Sequence, residues 1–341
     1  MSDAALNAIR YVIQEDVGNR GLRADPADNL ITACPGHFPA ACESLAKTAA
    51  ASVAVVTGFY IPHAQPPCGE TDGPLGAIYL ARALTPLGVR VVLVTDDFCT
   101  PALEAGIATA SLRKQVPLVT LPPAGRAATM SRDEYWQAFV ERAGPLTHLI
   151  ALERVGPSHT KESLAAQPGA TPAILEEFRR EVPPEHYERC HTMKGRDITA
   201  NMSPAHFLFD VIAAGRMPIA TIGIGDGGNE IGMGKISWAT IRGNIPNGGV
   251  VACRVATDHL IVCGVSNWGA YGLAAGVRLL NGQQPDAELF DLERERSILE
   301  LMVKQGPLVD GVTGRAEVSV DGLPFERYLE VLRRLREIRV S

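Results

Sequence analysis

What this chain has little of narrows its function before any motif is considered. Its 32 Lys and Arg stand against 38 Asp and Glu, a formal net charge of -6, and no basic cluster or interleaved aromatic stripe offsets that balance. Nucleic acid and anionic membrane surfaces are therefore poor partners. No apolar run reaches the ~18 residues of a membrane span. The stretch around Val250 to Leu280 comes nearest and is broken by Arg254, Asp258, His259 and Asn267. Met1 to Asp16 has neither a basic start nor an unbroken apolar stretch, so a soluble chain without a secretory signal is expected. The seven cysteines, at 34, 42, 68, 99, 190, 253 and 263, contain no C-x-x-C and frame no loop with histidine. That spacing excludes a zinc knuckle and a disulfide framework, and points to reduced thiols in the cytoplasm. A G-x-S-x-G elbow is also missing, so a hydrolase of that type has no nucleophile.

With 341 residues, 46% of them hydrophobic, the chain can bury a full core. Leu6, Ile9 and Ile13 mark one face of an N-terminal helix, with Asp3 as its expected cap and Gly18 beyond its end. A second helix ends near Ala50. Apolar strands are then expected at Ser52–Thr57, Val89–Thr95, Val116–Leu121, Leu146–Leu152, Pro218–Ile222 and Asp258–Val265. Helices alternate with them: Pro74–Leu87 opened by Asp72, one from Thr100-Pro101, one opened by the capping box Ser131-x-x-Glu134, one from Ser203-Pro204, and Gly269–Leu280. Two more follow, Ala287–Lys304 and Pro324–Ile338. Strands without polar alternation, separated by helices, indicate a doubly wound, mostly parallel α/β sheet with helices on both faces. The expectation is one domain over 1–341, with a helical extension at 1–50 and an irregular insertion at 157–200 holding one helix from Thr171-Pro172.

The stretch Gly223-Ile-Gly225-Asp226-Gly227-Gly228-Asn229-Glu230-Ile231-Gly232-Met233-Gly234 carries six glycines in twelve positions. Such a backbone must turn tightly or approach something closely. It matches G-x-G-x-x-G, but no helix is expected to open there and the required acid ~20 residues on is missing, which excludes a dinucleotide. Lys235 is followed by Ile236, so it is no P-loop either. Its two acids suggest a metal or an amine; the plainer reading is a structural turn, or an anion-binding nest with Asp226 incidental.

In a parallel sheet, residues following the strands share one crevice. That gathers Glu70, Thr71 and Asp72, then Asp96 and Asp97, then Glu153 and Arg154, then Asp226, Asn229 and Glu230, then Ser266 and Asn267. Converging carboxylates need a cation, a proton or a basic partner, and oxygen donors favour Mg²⁺ or Mn²⁺. Several have plainer roles open to them: Asp72 as a helix cap, Asp96 capping the turn toward Thr100, Glu153 pairing with Arg154 or Lys194.

Several of these segments occur together in order: Gly69-Glu70-Thr71-Asp72-Gly73-Pro74, Glu153-Arg154-x-Gly156, Met193-Lys194-Gly195-x-Asp197-Ile198, the long glycine run, Val265-Ser266-Asn267-Trp268-Gly269 and Asp310-Gly311-Val312-Thr313-Gly314. This set, spanning about residues 50 to 315, resembles the D-glutamate cyclase family. The resemblance implies a lyase interconverting D-glutamate and 5-oxo-D-proline plus water. The family pattern has arginine where Lys194 stands, and an ammonium does not reproduce bidentate carboxylate binding.

That chemistry asks for a base on the α-amine and charge withdrawal at the γ-carboxylate. The residues expected to meet it are Glu70, Asp226 and Glu230 as catalytic groups, and Glu70, Asp72, Asp226 and Glu230 as ligands of Mg²⁺ or Mn²⁺. Thr71, Lys194, Gly227, Gly228, Asn229 and Asn267 are expected to bind a small-molecule substrate. Two other readings stand beside this one: a Mg²⁺- or Mn²⁺-dependent phosphatase with the glycine nest holding phosphate, and a non-catalytic amino-acid binder. Homo-oligomerisation stays open.

Overall fold

The computed structural model describes residues 2–215, 217–283 and 286–339. Six parallel strands form the main sheet: β1 Ser52–Thr57, β2 Arg90–Thr95, β3 Leu118–Thr120, β4 His148–Leu152, β5 Ala220–Gly225 and β6 His259–Val262, in the spatial order β3-β2-β1-β4-β5-β6. The main helices are α1 Ser2–Ile13, α2 His37–Lys47, α3 Pro74–Leu84, α4 Thr100–Thr109, α5 Arg132–Ala143, α6 His206–Gly215, α7 Ser266–Leu280 and α8 Leu292–Gln305.

The unbroken apolar strands explain the layering. Along β1, Val53 and Val55 point into one apolar cluster with Leu75 and Ile78 of α3, Leu103 of α4 and Leu273 of α7. Ala54 and Val56 point the other way, to Tyr135 and Phe139 of α5 and Leu208 of α6. With side chains alternating across the sheet, both faces must be covered, which is the doubly wound α/β arrangement. Leu6, Ile9 and Ile13 of α1 and Phe38 and Leu45 of α2 join the first cluster. All seven cysteines are buried and unbonded to one another, and no helix among the described residues is long and apolar enough to cross a membrane.

Several local expectations change. Asp3 lies inside the first turn of α1 rather than at its cap. The 157–200 region holds, besides Pro172–Glu181, a short helix at Lys161–Ala165 capped by Thr160. The helix expected from Ala287 starts later, at Leu292, because Asp291 accepts from the N–H groups of Glu293 and Arg294. Arg154 pairs with Asp96, and its second terminal nitrogen donates to the Ser203 carbonyl at 2.7 Å; Glu153 pairs with neither Arg154 nor Lys194.

Strand order reverses between β1 and β4, since β2 and β3 lie on one side and β5 and β6 on the other. That switch point opens a crevice at the strands' carboxyl ends. Around it stand a small sheet of Tyr60–Ile61, Cys68–Glu70 and Leu308–Val309, and a hairpin of Ser319–Val320 with Leu323–Pro324.

Candidate active site

Two helices start at the crevice and are fixed by exchanged caps. Asp72, just before α3, accepts from the N–H groups of Ser266 (2.9 Å) and Asn267 (2.8 Å), the start of α7. Asn267 returns the favour through Oδ1, which accepts from Gly73 N–H at 2.9 Å and Gly76 N–H at 2.7 Å at the start of α3. Both side chains are buried. Asp72 is thus a cap, but for α7 rather than for its own helix, and a carboxylate there is favoured by the helix dipole. Thr71 donates to the Ser319 carbonyl at 2.8 Å. Thr71 and Asn267 are engaged with the scaffold.

The glycine run leaves β5 as a tight loop closed on Glu230. Its carboxylate accepts from the N–H groups of Asp226 (2.9 Å), Gly227 (2.6 Å) and Gly228 (2.7 Å). The nest is real, and the anion in it is the chain's own. Gly227 and Gly228 donate to Glu230, so their N–H groups are not open to a phosphate or a substrate carboxylate. The loop opens no helix; the next begins at Trp238, behind the cap Ser237.

Asp226 faces the crevice. Its Oδ1 accepts from Arg20 at 2.7 Å, and the other terminal nitrogen of Arg20 lies 2.7 Å from Asp321. The second oxygen of each aspartate is buried and without a partner among the described residues, as is Oδ1 of Asn229. Glu153 directly follows β4 with a φ of +43°, a conformation rare for a side chain of this kind and frequent at functional sites. One of its oxygens accepts from the Ser266 hydroxyl at 2.5 Å. Glu70 stands on the small sheet against Gly311, where a Cβ would meet the carboxylate at 1.8 Å.

Carboxylate oxygens of Asp72, Asp226 and Asp321 lie within 4.8 Å of one another, and so do those of Glu153, Asp226 and Glu230. Glu70 falls in neither group. Burial pushes the carboxyls of Glu70, Asp72, Glu153 and Asp226 well above the usual carboxylate range, and neighbouring acids push the same way. At Asp226 the main influence opposing the rise is the Arg20 guanidinium. Glu70, Glu153, Asp226 and Asp321, though not Asp72, line a pocket of about 500 Å³ whose exposed rim carries Lys194, Arg196 and His63.

Arg20 and Asp321 were not among the residues expected here. Asp321-Gly322 is a two-residue hairpin turn with φ of +57° and +73°, and Asp-Gly is a recognisable turn signal. The carboxylate of Asp310 holds that segment through Val312, Thr313, Ser319 and Gly322. Arg20 had no such signal. Its loop is organised by Asp16, which accepts from the N–H groups of Arg20, Gly21 and Leu22.

The chain is a doubly wound α/β protein with an acid-floored pocket at the switch point of its sheet. The family model described as "D-glutamate cyclase-like, C-terminal" matches residues 9–167 and 184–336, and the chain belongs to that family. It is 29% identical to the human protein named D-glutamate cyclase, mitochondrial, over 98% of this chain. It spans about half of that relative, 52% of its length.

Proposed function

We propose that this chain is a lyase that closes D-glutamate into 5-oxo-D-proline with loss of water, and runs the reverse reaction, in the acid-floored pocket. The observation that carries this reading is the pair of buried, unpartnered oxygens on Asp226 and Asp321, in a pocket that also carries Lys194 at its mouth. Buried carboxylates in excess of cations attract an ammonium, and the basic mouth suits a carboxylate. An amino acid with a second carboxylate offers both. The names of the family and of the human relative support glutamate, in its D form, as that amino acid.

Ring closure moves two protons from the α-nitrogen to one γ-carboxyl oxygen, which leaves as water. Two carboxyls in different protonation states are needed. Asp226, held by Arg20, is the carboxylate that takes a proton from the ammonium. Glu153 has no basic partner within ion-pair distance among the described residues, and burial and the acids around it push its carboxyl upward; in this reading it is the acid that gives a proton to the departing oxygen. Asn229 Oδ1 accepts from the nitrogen, and Lys194 holds the α-carboxylate. Glu70 sets the field at the far wall, while Glu230 shapes the loop. The attack is intramolecular, so holding the substrate folded lowers the barrier substantially.

The oxygens of Asp72, Asp226 and Asp321 also suit a hard divalent ion, and the free Oδ2 atoms are consistent with one. Mg²⁺ or Mn²⁺ held there would withdraw charge from a bound carboxylate. The phosphatase reading loses support, because Glu230 fills the nest that was to hold phosphate.

The test follows loss of primary amine from D- and L-glutamate, with and without Mn²⁺, beside calorimetry of the metal alone. Amine loss from the D form supports the proposal. Amine retention in both forms, with or without metal, rejects it.

A further inference from the structure

The pocket is larger than its proposed substrate. Glutamate has roughly ten non-hydrogen atoms, and at the ~30 Å³ that one water occupies in the liquid these need less than about 300 Å³. The pocket holds about 500 Å³. The pocket's exposed lining differs chemically from its buried lining. At the floor, Glu70, Glu153 and Asp226 are buried; at the mouth, His63, Lys194 and Arg196 are exposed. Neither Lys194 nor Arg196 has a carboxylate within ion-pair distance among the described residues, and the Arg196 guanidinium donates only to the Pro62 carbonyl, at 3.3 Å. Both cations line the same pocket as His63, whose pKa is lowered first by burial and then by their charges. Apolar lining is added by buried Phe59 and Ile61 and by exposed Val312.

A second observation concerns the reacting carbon. A γ-carboxylate brings negative charge to a floor already rich in acids, whereas a γ-amide brings none. We propose that the pocket also takes γ-D-glutamyl amides whose departing amine carries a carboxylate, and closes the same ring with release of that amine in place of water. This rests on the ring-closure reading above. The bond from the α-nitrogen to the γ-carbonyl carbon (Cδ) forms and the bond from that carbon to the amide nitrogen breaks. The two protons lost by the α-ammonium end on the departing nitrogen, which leaves as an ammonium, so no oxidant or co-reactant is needed. Arg196 holds the carboxylate of the departing amine, and the apolar walls cover the chain between.

The experiment incubates the protein with γ-D-glutamylglycine, with γ-D-glutamylethylamide, which lacks the outer carboxylate, and with D-glutamate. Released glycine or ethylamine and 5-oxo-D-proline are measured by mass spectrometry. The proposal expects glycine and 5-oxo-D-proline in equal amounts. It also expects a KM for the glycine compound about tenfold below that for the ethylamide, the size of one charge-assisted hydrogen bond. Arg196→Ala should raise KM for the glycine compound about tenfold and for the ethylamide by a much smaller factor. Thermal unfolding of Arg196→Ala checks that this exposed substitution leaves the fold in place. Conversion of D-glutamate without release of glycine, and without inhibition by the dipeptide, overturns the inference and leaves the cyclase reading standing. Release of glycine with D-glutamate inert upholds the inference and removes D-glutamate as the substrate. Inertness of all three compounds overturns both. An equal KM change for both amides in Arg196→Ala refutes the role given to that residue.

Discussion

Replacing Glu230 with glutamine should damage the protein's stability, whereas replacing Asp226 with asparagine should damage its chemistry. Glu230 accepts three loop N–H groups at 2.6–2.9 Å from a fully buried position. A glutamine amide has one acceptor oxygen. Placed where Oε1 now lies, that oxygen keeps the bonds from Asp226 and Gly227, and the amide NH₂ then faces the N–H of Gly228. One charge-assisted bond is lost and one buried donor is stranded, a cost of about 2–4 kcal/mol. With an unfolding entropy of about 2.1 cal/mol/K per residue over 341 residues, that corresponds to a fall in Tm of roughly 3–6 °C. Asp226→Asn leaves Arg20 paired with Asp321 and removes one charge from a cluster of like charges, so its effect on Tm should be smaller. Thermal unfolding of both variants beside the parent measures the difference. A Glu230→Gln protein with the parental Tm, or an Asp226→Asn protein that falls equally far, would refute this division between a structural and a chemical acid.

Burial raises the Glu153 carboxyl above its unfolded value. The stability this group contributes is therefore full below the ordinary carboxyl range and is lost as pH rises through the raised pKa. Glu153→Gln should accordingly raise Tm at pH 8 in the presence of chelator, by an amount that shrinks toward pH 5; a pH-independent difference would contradict the assignment. Gly311→Ala places a Cβ 1.8 Å from the present Glu70 carboxylate. It should displace Glu70 and reduce kcat at least tenfold with the fold retained by circular dichroism, and parental kcat would show that Glu70's position is unimportant. Thiol titration of unreduced, unfolded protein should return seven groups, and two or more missing would overturn the reduced state argued from spacing.

The sheet was legible because its strands are apolar on both faces, and Ser52–Thr57 or Leu146–Leu152 admits little else. The capping box at Ser131 and the proline at position 101 marked helix starts by local chemistry alone. What the sequence hid was reciprocity between distant segments. Asp72 could be read as a cap, but its helix lies 194 residues away at Ser266, and only the fold brings them together. Glu230 and Asp226 looked equivalent as loop acids; which of them turns inward to the N–H groups depends on backbone torsions that glycines leave open. Arg20 carried no signal, since a basic residue in a polar loop normally faces water. Asp321 carried one, the Asp-Gly turn, but nothing local ties that turn to the crevice.

The central claim is that buried acids at the switch point close D-glutamate onto itself. Chiral chromatography of D- and L-glutamate after incubation with the parent protein and with Asp226→Asn tests it most directly. The account predicts 5-oxo-D-proline from the D form alone, and its loss in an Asp226→Asn protein that unfolds near the parental temperature. Unchanged D-glutamate, together with phosphate release from an aryl phosphate ester, would contradict it.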